Sequence, residues 1–299
     1  MNKTSNNEPI YVLFNPHHAG DFIGQMALLN SILETHGGSK IGCCIFEDFS
    51  YMVDPKDYNI VIEVEGPYAT PDNRRNSDHI FEDAILEEAR ITGRNLVPIN
   101  TWLGQFSDTH AQSWENTVEV FNRKIFDKCP ELMINIEQQK FPIVTFPKNS
   151  CKNSQDIPDG LVIYFDNSKP HSAHSVVNWD LKHVIKSFPN ITFVITQSIA
   201  DLECDNVIDC SKYNFAQLSK ISESCDLIMG RGSGPFFCTY TRRNLMKRRF
   251  LLNFYNRVPQ SLLDPVEWPF VHRHGVVNNL RSQEELMSFL EFAHESIKG

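Results

Sequence analysis

Apolar positions along this chain fall into short blocks separated by longer amphipathic stretches. Ile10–Phe14 is wholly apolar, Ile41–Phe46 nearly so, and Tyr58–Val64 forms a third block. Blocks of this length predict buried strands. Between the first two, Phe22, Ile23, Met26, Leu29, Ile32 and Leu33 recur at helical spacing, and Gly37-Gly38 marks the stop. Helical spacing returns over Ser77–Thr92, with Ile80, Ala84, Ile85, Leu86 and Ala89 as its apolar positions. It returns again over Ala111–Lys128, through Trp114, Val118, Phe121 and Ile125. Leu96–Ile99 and Phe141–Phe146 read as strands. Pro147–Pro158 breaks both patterns and reads as a linker.

The pattern then starts over. Strands are expected at Gly160–Phe165, Ile191–Thr196, Val207–Cys210, Asp226–Met229 and Arg249–Phe254. Helices are expected at Trp179–Phe188, Phe215–Ser224 and Ser282–Lys298, the last opened by Ser282 as N-cap with Glu285 completing a capping box. Strands that alternate with helices predict βαβ units and parallel sheets. The expected class is therefore α/β with two Rossmann-like domains, residues 1–150 and 151–299. Two such units in tandem imply a cleft, with ligands beyond the carboxyl ends of the strands.

The unusual polar and glycine residues fall in those strand-end loops: Asn15–Asp21, Asp166–Ser175, Gln197-Ser198 and Gly230–Pro235. The last is the densest. Gly230-Arg231-Gly232-Ser233-Gly234-Pro235 leads from a strand into a run that begins with proline. Glycine permits sharp turns and close backbone approach to a ligand, and proline suits a first helical turn. Free N–H groups at such a turn suit a phosphate. A tight strand-to-helix connection accounts for the same residues, and both readings stay open.

With 299 residues, 41% hydrophobic and 22% charged, the chain is long enough for two ordinary cores. No apolar run approaches the roughly 20 residues of a membrane span, and the polar start, Met1–Pro9, lacks the apolar segment of a signal peptide. A net charge of −9 argues against non-specific nucleic-acid binding. The local exception is Arg242-Arg243-Asn244-Leu245-Met246-Lys247-Arg248-Arg249, five of whose eight residues are basic. It reads as a solvated face or as a contact for an anionic membrane or acceptor phosphate. The eight cysteines show neither C-x-x-C spacing nor a zinc pattern, so reduced thiols in a cytoplasmic protein are expected, and no metal site.

The strand, polar loop with Lys169, Trp-containing helix and strand of the second half, followed by Phe215–Ile228 and Gly230-Arg231-Gly232-Ser233-Gly234-Pro235, resemble the nucleotide-sugar-binding half of GT-B glycosyltransferases. The bacterial heptosyltransferase group is the nearest likeness. In the first half, Gly20-Asp21 resembles that group's Gly-Asp pair. The resemblance implies a cytoplasmic, metal-independent transfer of sugar from a nucleotide-diphosphate donor to a glycan or lipid-linked acceptor, with no cofactor beyond the donor. Contact with the inner face of a membrane fits that acceptor class. It makes Asp21 the candidate base, with His17 and His18 as alternatives, although Asp21 equally suits a helix cap. Lys169, Gln197, Arg231, Gly232, Ser233 and Gly234 become candidate donor contacts. Phe236-Phe237-Cys238 departs from the family, which places a His after Ser-Gly-Pro. A nucleotide-sugar epimerase, a non-sugar transferase or a non-catalytic nucleotide-binding module on the same fold are the alternatives.

Overall fold

The computed structural model describes residues 8–16, 19–66, 77–102, 114–135, 137–138, 143–151, 156–168, 179–230, 234–246, 251–253, 277–278 and 282–298. The chain divides into two compact units, Met1–Ser150 and Cys151–Gly299.

The first unit holds four strands, β1 (Ile10–Phe14), β2 (Ile41–Phe46), β3 (Ile60–Val64) and β4 (Leu96–Asn100). They form a sheet in the order β3-β2-β1-β4, and every pair is parallel. Helix α1 (Ala19–His36) links β1 to β2, and α2 (Ser77–Thr92) links β3 to β4. Gly37 takes φ +69° after α1 and its N–H donates to Leu33 O at 2.9 Å, the left-handed stop that glycine permits. β4 lies at the sheet's edge, which is why Pro98 is tolerated within it. Helix α3 (Trp114–Ile125) follows and buries Val118, Phe121 and Ile125.

Val12, Phe14, Cys44, Phe46, Ile62 and Val64 face α2, whose core contribution is Phe81 and Ile85. Phe81 stacks on Phe14, with ring centroids 5.5 Å apart, and meets Phe46 edge-on at 4.6 Å. Of the expected apolar face of α2, Ile85, Ala84 and Ala89 pack on this core, while Phe81 takes the place expected for Ile80. Ile80 and Leu86 are 44% and 54% exposed, whereas Phe81 is fully buried. Tyr11, Leu13, Cys43 and Ile45, on the other face of the sheet, are buried as well. Burial on both faces explains why these strands read as continuous apolar blocks rather than alternating ones.

The expected strand at Phe141–Phe146 is not one. Its residues 141–142 lie outside the described set, and 143–147 are irregular backbone. Ile143 O accepts from Asn30 Nδ2 of α1 at 3.1 Å, so its carbonyl is satisfied by a helix side chain instead of a ladder. Pro142 and Pro147, which lack an N–H, bracket the segment.

The second unit holds β5 (Leu161–Asp166), α4 (Leu181–Ser187), β6 (Ile191–Ile195), β7 (Val207–Asp209), α5 (Phe215–Ser222) and β8 (Leu227–Gly230). Two single turns follow, α6 (Gly234–Phe237) and α7 (Arg242–Leu245), then β9 (Leu251–Asn253), β10 (Val277–Asn278) and α8 (Gln283–Lys298). The sheet order is β10-β9-β8-β5-β6-β7, all parallel. Renumbered within the unit, this is 3-2-1-4-5-6, the order of a doubly wound dinucleotide-type sheet. Leu161, Ile163, Phe165, Phe193, Ile195 and Met229 pack with α4 and with Leu286, Leu290 and Ala293 of α8.

Gly230 ends β8 directly beside Asp166, the last residue of β5. A Cβ on Gly230 would stand 2.4 Å from the Phe236 ring and 2.8 Å from Asp166 Cβ, both well inside contact distance. Overpacking of this kind costs about 1–3 kcal/mol. Gly230→Ala should lower the unfolding free energy by that amount, read as a lower urea midpoint at an unchanged slope. A midpoint equal to that of the unaltered protein would show that the site has room to spare.

Candidate active site at the strand-order switch

A doubly wound sheet reverses its winding between its first and fourth strands, and loops leaving those two carboxyl ends diverge to leave a crevice. In the second unit those strands are β5 and β8. Asp166 and Gly230 are therefore the lip of the crevice. In the first unit the corresponding strands are β1 and β4, ending at Phe14 and Asn100.

The lip of the second unit is laced by buried polar side chains. Asp166 is wholly buried, and its Oδ1 accepts from Ser168 N–H at 3.1 Å, from Ser168 Oγ, and from Thr196 Oγ1 at 2.9 Å. A buried carboxylate persists only when hydrogen-bonded this way. Asn167, 6% exposed, ties the ends of β5 and β6 together. Its Oδ1 accepts from Thr196 N–H at 3.1 Å and Gln197 N–H at 2.8 Å, and its Nδ2 donates to Gln197 O at 2.7 Å. One strand further, Ser198 Oγ donates to Asp209 Oδ2 at 2.6 Å, and Ser211 N–H donates to Oδ1 at 2.8 Å. Burial raises the Asp209 carboxyl, but these hydrogen bonds and nearby Lys212 outweigh it and hold the group below its ordinary value. The ends of β5, β6 and β7 thus form one stiff polar edge.

The chain just past the glycine run, at Pro235, is tied to β5. Tyr164 on β5 donates its hydroxyl to Pro235 O at 2.6 Å, and Cys238 Sγ lies 3.0 Å from the same oxygen. Burial pushes the Tyr164 phenol well above its usual range, so it stays a donor. The run after the turn is helical as expected but only one turn long, α6, before Cys238–Tyr240 and α7. Its contribution to an anion is therefore free N–H groups more than a macrodipole, which needs length.

In the first unit, Thr101 donates both its N–H and its Oγ1 to Phe14 O, at 2.8 and 2.9 Å, and so carries the β1–β4 pairing past the strand ends. Asn15, 1% exposed, follows Phe14. Trp102 N–H donates to Asn100 Oδ1 at 2.9 Å, and Lys124 donates to Trp102 O. A cavity of about 420 Å³ in this unit lies elsewhere. It is lined by Met26, Asn30, Tyr58, Thr145 and Lys148, beside the start of β3 rather than the strand-end loops. The strand-end geometry is the better guide, because it coincides with the polar edge and the glycine turn.

Of the candidate residues, Gln197 stands at the exposed end of β6 with its backbone held by Asn167, and Gly234 opens α6. Asp21 occupies the first turn of α1, and its side chain is not described. His17, His18, Lys169, Arg231, Gly232 and Ser233 lie outside the described residues. Asp166, Asn167 and Thr196 emerge as site-forming residues only in three dimensions. Their one sequence signal is a polar pair placed directly at the end of an apolar strand.

Similar solved structures share the fold at low identity. A glycosyl transferase family 9 protein from Veillonella parvula DSM 2008 aligns at TM-score 0.54 and 14% identity, over 96% of this chain and 91% of that one. The E. coli ADP-heptose lps heptosyltransferase II aligns at 0.54 and 11%, over 97% and 100%. The E. coli heptosyltransferase WaaC with ADP aligns at 0.50 and 11%, over 96% and 98%. The chain has the GT-B fold. No family model matches it, and no curated protein does. The likeness therefore lies in the architecture, and the chemistry must be argued from the residues.

Removing the Asn167 side chain should leave the buried Thr196 N–H and the part-buried Gln197 backbone groups without the partners that Asn167 supplies. Such a loss costs about 1–3 kcal/mol, so Asn167→Ala should lower the melting temperature by several degrees. Asn167→Asp keeps the accepting oxygen and should recover part of the loss. Equal losses in the two variants would show that the bonds accepted at Oδ1 contribute nothing.

Proposed function

We propose that this protein is a glycosyltransferase that moves a sugar from a nucleotide-diphosphate donor to a glycan or lipid-linked saccharide. The observation that carries the reading is the position of the glycine turn. It leaves the sheet at the switch between β5 and β8, beside a rigid polar edge. An architecture similar to that of a heptosyltransferase solved with ADP supports a nucleotide at such a place.

In this reading the backbone N–H groups of Gly232, Ser233 and Gly234 and the Ser233 hydroxyl cradle the diphosphate. Arg231 meets it with a guanidinium fork and Lys169 with a point charge. Gln197, at the end of β6, faces the ribose or base. Asp21, in the first turn of α1, takes the acceptor hydroxyl's proton, with His17 and His18 as alternative bases. The acceptor oxygen forms its bond to the anomeric carbon as that carbon's bond to the diphosphate breaks, which inverts the centre. The charge gained by the leaving diphosphate falls on the glycine turn and its two cations, a preorganised set that needs no metal. No cofactor beyond the donor is required. Among the described residues no helix is long and apolar enough to cross a membrane. The proposed setting is the cytoplasm, at the inner face of a membrane when the acceptor is lipid-linked.

The test is release of nucleoside diphosphate from UDP-, GDP- and ADP-sugars in the presence of lipid-linked saccharides. One donor class should turn over with the unaltered protein. Loss of a general base costs roughly 10²–10⁴-fold in rate, so Asp21→Asn should lower kcat by that factor while nucleotide affinity is kept. Full activity in Asp21→Asn would move the base to His17 or His18. Binding without turnover of any donor would point to a non-catalytic module.

A further inference from the structure

We infer that the hollow beside the start of β3 is a binding groove for a neutral oligosaccharide, separate from the strand-end site. Two adjoining hollows of about 420 and 570 Å³ make it up, and both are lined by Asn30, Leu33, Lys56, Asp57, Tyr58 and Thr145. Cavities of this size suit a ligand, and two joined lobes suit a short chain of sugars better than a single ring.

The floor of the groove is aliphatic. Helix α1 contributes Met26 and Leu29, and the segment after β2 contributes Met52 and Val53, all of them buried. The rim is polar, with Lys56, Asp57, Thr145 and Lys148 exposed. The wall at residues 145–149 is pinned on both sides. Asn30 Nδ2 donates to Ile143 O at 3.1 Å, and Ser150 Oγ donates to Tyr51 O at 2.6 Å. The groove is therefore formed before a ligand arrives, which lowers the cost of binding.

Its hydrogen-bonding capacity is largely unspent. Asn30 uses its Nδ2 on Ile143, which leaves Oδ1 as an acceptor. Tyr58 uses its N–H on Pro55 O at 3.4 Å, and its half-buried side-chain hydroxyl has no partner among the described residues. Burial pushes that phenol well above its usual range, so it stays a donor. Charge is balanced as well. Lys56 and Lys148 line the hollow with Asp54 and Asp57. None of these four takes part in the ion pairs among the described residues.

Those features select the ligand. An anion such as a nucleotide would meet as many carboxylates as ammonium groups. An acyl chain would bury the Tyr58 hydroxyl and the Asn30 oxygen without partners, which is costly. A sugar hydroxyl donates one hydrogen bond and accepts two. A chain of such hydroxyls serves donors and acceptors set side by side, while the C–H face of a pyranose covers the aliphatic floor. β3 runs five residues, Ile60–Val64, so its start lies about 17 Å from the strand-end loops. A saccharide held there keeps a long acceptor on the protein without occupying the reacting end. That use rests on the proposed transferase reading.

The experiment is calorimetric titration and saturation-transfer NMR of the full chain with cellotriose, mannotriose and chitotriose, without nucleotide. At least one trisaccharide should bind, with an affinity that about 0.5 M salt leaves unchanged. Tyr58→Phe removes one hydrogen bond and should weaken binding about three- to tenfold. Thr145→Trp, at an exposed position, fills the groove and should abolish binding, with the melting temperature kept in both variants. Binding of none of the trisaccharides, binding that both variants leave unchanged, or tighter and salt-sensitive binding of trigalacturonate would each overturn the inference. Turnover is read separately, on a monosaccharide acceptor too short to reach the groove. Its failure counts against the transferase reading alone, and failure of trisaccharide binding counts against the groove alone.

Discussion

At the switch point of the second unit the close approach of β8 to β5 has no room for a side chain. Gly230 sits against Asp166 and under the Phe236 ring, at distances where even one methyl group would collide. The local geometry at the end of the sheet follows from that contact. It sets where the chain leaves the sheet, and hence where the glycine turn begins. It seals Asp166 from water, which forces the carboxylate to find its partners in Ser168 and Thr196. It also brings Pro235 within reach of the Tyr164 hydroxyl, so the far side of the turn is tied to the same strand. A buried carboxylate, a buried phenol and a glycine with no space around it make a rigid base where β8 ends.

In the proposed transfer, rigidity there has a chemical use. Stabilising charge on a leaving group depends on donors fixed before the charge appears. The bonds from Asn167 to the backbone of Thr196 and Gln197 fix β6 against β5, and the Ser198–Asp209 bond extends the bracing to β7. The first unit repeats the device with other residues. There Thr101 holds β4 to β1 through Phe14 O, at the loop that leads to Asp21.

Most of the architecture is legible in the sequence because the central strands β1, β2, β5 and β8 are buried on both faces, which leaves them as nearly uninterrupted apolar blocks. The exceptions have physical causes. Val144 is buried, so Phe141–Phe146 carries a strand's hydrophobicity, yet Ile143 bonds a helix side chain and not a neighbouring strand. The pattern does not distinguish Phe81 from Ile80 as the core residue, since adjacent apolar residues leave the phase of a helix ambiguous by one position. At the site, the glycine turn is visible because glycine and proline announce backbone demands. The Asp166–Asn167–Thr196 network is not, since it joins residues about thirty positions apart and nothing local marks them as partners.

The measurement that bears most directly on the account is calorimetric titration with UDP, GDP, ADP and CMP, each compared with its nucleoside. The account predicts that one nucleoside diphosphate binds at least tenfold more tightly than its nucleoside, because the phosphates meet the glycine turn. It predicts that Arg231→Ala removes most of that difference, leaving nucleoside affinity in place. Binding that is indifferent to the phosphates, or a phosphate contribution untouched by Arg231→Ala, would contradict the placement of the donor site at the β5–β8 switch.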